Sequence, residues 1–155
     1  MGRMGRFAAM AAIAVALGAM ASPLAAEEAR APVTAAQMLE AANAVVPRIT
    51  PAAAAEMIAK GNTVVIDVRE PEEVKAGKVA GAINIPRGML EFQVDPQSPR
   101  FHGNLAMDKN VILYCASGGR AALAGKTLRE MGYSNVYNVG GFKNWADSGG
   151  AVERP

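Results

Sequence analysis

Two apolar runs, TVVIDV at residues 63–68 and NVILYC at residues 110–115, constrain the fold of this chain most strongly. Both are unbroken, rich in β-branched residues and too short for ordinary helices, which is the pattern of strands buried on both faces. Strands covered above and below need crossover connections, and hence helices packed on a mostly parallel sheet. The segments between the runs supply them. PAAAAEMIAK (51–60) follows Thr50 as an N-cap, with proline at the first helical position. AALAGKTLREMGY (121–133) sets Ala121, Ala124, Leu128 and Met131 on one stripe. Shorter helices are predicted over EPEEVKAG (70–77), RGMLEFQV (87–94) and GGFKNWADSGG (140–150). Short strands are predicted over RIT (48–50), GAINIP (81–86) and NVYNV (135–139), and a turn-rich loop over residues 95–109. The alternation predicts an α/β domain, and 155 residues suit one such domain.

The N-terminus reads differently. Residues 1–26 open with Arg3 and Arg6, continue through an apolar run from Phe7 to Met20, and end in Ser22-Pro23 and small residues. That order is a secretory signal peptide, with cleavage expected after Ala26 and no membrane span afterwards. An uncleaved anchor is the alternative. Export of an unfolded chain to the periplasm or beyond is expected, since adjacent paired arginines are missing. Without residues 1–26 the chain keeps 14 basic residues against 14 acidic ones, so nothing electrostatic favours nucleic acid. Residues 27–47 form a leader and a helix, where Thr34 and Gln37 have capping-box spacing and Pro47 stops the run. The domain proper is expected over residues 48–155.

The single cysteine, Cys115, ends the second apolar run and opens the stretch CASGGR (115–120). Ligands of open α/β sheets bind beyond the carboxyl ends of the strands. Ala116, Ser117, Gly118 and Gly119 have small or absent side chains, so their N–H groups can turn inward as an anion nest. The helix beginning near Arg120 adds its positive end. A thiolate in that field has a lowered pKa and is a better nucleophile. The alternative is a small buried core cysteine.

At this point the sequence resembles the rhodanese-like sulfurtransferases. The similarity covers about residues 48–148, through VVIDVREPEE (64–73), AGKVAGAINIP (76–86), VILYCASGGRAALAGKTLREMGYSNV (111–136) and GGFKNW (140–145). The resemblance implies a three-layer α/β fold, a central mostly parallel sheet of about five strands with helices on both faces. It implies that Cys115 takes sulfane sulfur from a donor such as thiosulfate and passes it, as a persulfide, to cyanide or a thiol, with no metal or organic cofactor. Arg120 closes the loop, Asp67 of the D-x-R segment is its expected carboxylate partner, and Arg69 is expected to be structural. A structural Arg120–Asp67 ion pair without a chemical part is the alternative. The chain departs from the family pattern in having Ala116 and Ser117 where cations often stand, Glu70, Glu72 and Glu73 downstream of D-x-R, and Gly77-Lys78 before the second strand. A less basic rim weakens binding of a free dianion, which brings in a protein persulfide as donor.

A cysteine phosphatase would need five residues between cysteine and arginine, one more than this loop holds. Disulfide exchange lacks a resolving cysteine. A persulfide carrier or protein-interaction module, docking through the helix at 34–46, is the remaining rival. His102, the only histidine, reads as a surface loop residue or a lid. Phe142 and Trp145 are expected to pack on the sheet.

Overall fold

A computed structural model describes residues 31–155; the predicted signal segment lies outside the described residues. Thr34 caps α1 (Ala35–Val45) through the predicted capping box, and Thr50 caps α2 (Pro51–Lys60). The first apolar run becomes β1 (Thr63–Asp67), followed by α3 (Pro71–Val74), β2 (Lys78–Val79) and β3 (Ile83–Asn84). A 3-10 turn (Arg87–Met89) leads into α4 (Leu90–Val94). Then come β4 (Asn110–Cys115), α5 (Gly119–Glu130), β5 (Val136–Gly141), α6 (Phe142–Asp147) and β6 (Val152–Glu153).

Among the described residues the central sheet has four parallel strands in the order β3-β1-β4-β5, not about five. The predicted RIT strand shrinks to one parallel bridge, Arg48 to Asn138, because Pro51 starts α2 immediately after Thr50. GAINIP pairs only at Ile83 and Asn84, since Pro86 has no N–H to extend the ladder. β5 instead runs on through both glycines, Gly140 and Gly141. A small antiparallel pair, β2 with β6, was not predicted; two-residue strands carry no periodic signal.

The sheet divides the core. On one face Ile66, Val111, Leu113, Cys115 and Val136 pack against Leu90, Val94, Ala121, Ala124 and Leu128 of α4 and α5. On the other, Val65, Ile112, Tyr114 and Val139 pack against Ala54 of α2 and Trp145 of α6, with Phe142 beside them. Alternate residues of β4 thus face opposite layers, as a doubly covered strand requires. The chain leaves β1 toward β3, then crosses to β4 on the other side. The order reverses between β1 and β4, so the carboxyl ends of these two strands form the topological switch point. Asp67 and Tyr114 are paired there, and Cys115 is the next residue.

Candidate active site

Cys115 is 1% exposed and closes β4. The chain then turns through Ala116 and Ser117, both exposed, into Gly118, whose φ of +102° is one that only glycine adopts without strain. That turn aims the Gly118 N–H at Cys115 Sγ, 3.0 Å away. Burial alone would push the thiol up. The backbone N–H groups of Ser117, Ala121, Gly118 and Arg120 favour the thiolate and prevail, leaving the thiol below its ordinary value. These groups belong to the loop and to the first turn of α5, where a helix leaves its N–H groups unpaired. The turn sits against β5. A methyl on Gly141 would lie 2.5 Å from the Ala116 carbonyl oxygen, so the second glycine of the GG pair is needed for the loop to close onto the strand.

The structure corrects the predicted partner of Arg120. Its guanidinium makes two 2.7 Å hydrogen bonds to Glu73 of α3, not to Asp67. These bonds hold the Glu73 carboxyl at about 2 and, with the neighbouring Cys115 thiolate, keep the guanidinium well above its ordinary range. Asp67 is 0% exposed and lies below the loop. Its carboxylate accepts from the Arg69 side chain (2.6 to 3.0 Å), the Arg69 backbone N–H and the Tyr114 hydroxyl (2.6 Å). Those donors absorb the carboxylate, so it does not reach the rim. Arg69, expected to be structural, also donates to the Gly77 and Glu73 carbonyls and lies 4.3 Å over the Phe142 ring.

Of the predicted cradle residues, Ser117, Gly118 and Arg120 turn their N–H groups to Cys115, joined by Ala121, which was not predicted. Ala116 and Gly119 are not among the groups acting on the sulfur, and Asp67 is held by Arg69 and Tyr114 at the end of β1. Glu73 was missed because its other task is legible on its own. It accepts from the Glu70 N–H in a capping box, and a carboxylate in a first helical turn already has a local explanation. Its spacing of six residues from Asp67, within the helix that Pro71 begins, was the available signal. Tyr114 was read only as part of a core strand, and Asn138 was not singled out. His102 is half-buried and tied by backbone hydrogen bonds to Gln93 and Leu105.

The putative mitochondrial thiosulfate sulfurtransferase of Schizosaccharomyces pombe is 36% identical over 92 residues, spanning 56% of this chain and 65% of that one. Thiosulfate sulfurtransferase PspE of Escherichia coli is 40% identical over 83 residues, spanning 52% and 72%. Among solved structures, a Rhodopseudomonas palustris protein of unknown function, described as a possible tyrosine phosphatase, superposes with a TM-score of 0.72 at 39% identity. That match covers 78% of this chain and 95% of the other. Residues 50–148 match the rhodanese-like domain, the stretch that carries the sheet, the cysteine loop and the Glu73 pair, and the chain belongs to that family.

Proposed function

We propose that the protein is an exported sulfurtransferase that carries sulfane sulfur as a persulfide on Cys115. The observation that supports this most is the convergence of loop and helix N–H groups on one buried sulfur. In the first step the Cys115 thiolate attacks the outer sulfur of a donor such as thiosulfate. A new S–S bond forms, the donor's S–S bond breaks, and its electron pair leaves with sulfite. The persulfide anion then occupies the cradle, where the same N–H groups stabilise it. In the second step cyanide or a thiol attacks the outer sulfur, leaving as thiocyanate or a hydropersulfide, and the thiolate returns.

The relatives named as thiosulfate sulfurtransferases support this chemistry. Four residues between Cys115 and Arg120 make a cradle sized for sulfur rather than for a phosphate group. The exposed rim residues Ala116 and Ser117 are uncharged, and Glu73 neutralises Arg120, so a low-charge donor such as a protein persulfide suits the site as well as thiosulfate does. Residues 1–26 direct the chain to the periplasm or outside the cell, and α1 offers a surface for a protein partner. Steady-state thiocyanate formation from thiosulfate and cyanide tests the enzymatic reading. Turnover that disappears in Cys115→Ser supports it. Loading of Cys115 without turnover would instead identify a persulfide carrier.

A further inference from the structure

Asn138 joins the cysteine loop to β5. Its side-chain Nδ2 donates to the Gly118 carbonyl (3.0 Å) and its Oδ1 accepts from the Gly140 N–H (2.9 Å), in a residue 1% exposed. The register of β5 slips at this place: Leu113 pairs with Asn138 but Tyr114 with Gly140, leaving Val139 as the extra residue. The Asn138 amide spans that bulge. One donor and one acceptor are needed, which asparagine supplies, aspartate supplies only in part and leucine not at all. The Gly118 carbonyl also accepts from the Ala122 N–H (2.9 Å), in the first turn of α5. With the Asn138 bond in place, the peptide beyond Gly118 is held from the strand as well as from the helix.

The backbone of Asn138 is held in turn by chain that precedes the matched family region of 50–148. Its N–H donates to the Pro47 carbonyl (2.9 Å) and its carbonyl accepts from the Ile49 N–H (3.0 Å). Arg48, between them, lays its guanidinium across the same two glycines. A methyl on Gly140 would lie 2.7 Å from its Nη2, and one on Gly118 would lie 3.4 Å from its Nη1. Further back, Val46 packs so tightly on α5 that a methyl on Gly125 would lie 2.8 Å from it, and Leu39 lies against Gly119.

We propose that Asn138 is a positioning residue for the cysteine loop, fixing Gly118 so that its N–H stays aimed at Cys115 Sγ, and that the Arg48 guanidinium, laid across Gly118 and Gly140, supports the loop from the N-terminal side. The proposal rests on Cys115 as the reacting group, but its test needs no sulfur transfer, so failure of the activity and failure of the proposal are distinguishable. Arg120, the charged group coupled to the thiol, and its partner Glu73 stay in place in every variant, whereas Arg48→Ala removes the cation that lies against Gly118.

The experiment is a pH titration of the thiolate ultraviolet absorbance, with a thermal melt of each sample. The variants are Asn138→Ala, Asn138→Leu, which keeps the branched outline but neither hydrogen bond, and Arg48→Ala at an exposed site. Val136→Ala, a buried β5 residue remote from the loop in register, is the stability control. The thiol midpoint is expected to rise by about one unit in both Asn138 variants, a roughly tenfold loss of thiolate below the midpoint. In Arg48→Ala it rises by less, and in Val136→Ala it stays while the melting temperature falls. Unchanged midpoints in both Asn138 variants overturn the proposal, as does a Val136→Ala midpoint that moves equally far. Failure of both Asn138 variants to fold also overturns it, because Asn138 would then hold the fold and not the loop. An Arg48→Ala midpoint equal to that of the wild type overturns the part assigned to the Arg48 side chain.

Discussion

Replacing Gly118 with alanine sets backbone strain against the hydrogen bond to sulfur. At a φ of +102° glycine is unstrained, whereas an L side chain costs about 1–2 kcal/mol. The added methyl would also lie 3.1 Å from Gly140 Cα and 3.4 Å from Arg48 Nη1. The exposed arginine can move away; the strand backbone cannot, so the total reaches about 2 kcal/mol. The loop then has two responses. If it keeps its shape, the melting temperature falls by about 8 °C for a domain of this size. If Gly118 relaxes, its N–H swings off Cys115 Sγ and the thiolate loses a hydrogen bond worth about 1.5–3 kcal/mol. That loss raises the thiol midpoint by about one to two units. A thermal melt and a thiolate titration on the same sample report both quantities. A variant unchanged in both would refute the claim that Gly118 geometry supports the thiolate.

Three further outcomes follow from the hydrogen bonds around the loop. Tyr114→Phe removes a buried hydroxyl that donates to Asp67 and accepts from the Val79 N–H (3.1 Å), so urea unfolding should show a loss of about 2–3 kcal/mol. Glu73→Gln frees Arg120 from a pair about one third exposed; stability changes by about 1 kcal/mol or less, while the KM for the thiosulfate dianion falls. Glu73 is held at about 2, so the pair's contribution is complete above the ordinary carboxylate range and disappears as pH falls toward about 2; acid titration of both proteins should show their stabilities converging there. Folding also lowers the Cys115 thiol, so the unfolded chain binds more protons between the folded midpoint and about 8.5. Wild-type stability relative to Cys115→Ala therefore rises with pH across that window and is lost as pH falls through the folded midpoint, which urea midpoints at several pH values will show.

The sheet and the loop were legible because both depend on local sequence. TVVIDV and NVILYC have the unbroken β-branched pattern of doubly covered strands, and the small residues 116–119 between a strand and a helix point to the cradle. Capping at Thr34 and Thr50 was equally local and appears in the structure. Long-range partners were not legible. Arg120 and Glu73 are separated by 47 residues, as are Tyr114 and Asp67, and their pairing depends on the crossover that brings the ends of β1 and β4 together. Given one arginine and several acidic residues, sequence order favoured the buried Asp67, which Arg69 two residues on already occupies. The Asn138 amide was hidden for a different reason. Its role depends on a bulge, and a bulge changes register without leaving a pattern in the residues.

The central claim is that Cys115 carries transferable sulfur, and the intact mass of the protein tests it most directly. Reduced wild-type and Cys115→Ala proteins are incubated with thiosulfate and, separately, with a small-molecule persulfide. The predicted result is a gain of one sulfur atom in the wild type with at least one donor, removed by cyanide and absent from the variant. Folded, reduced wild-type protein that gains no sulfur from either donor would contradict the account.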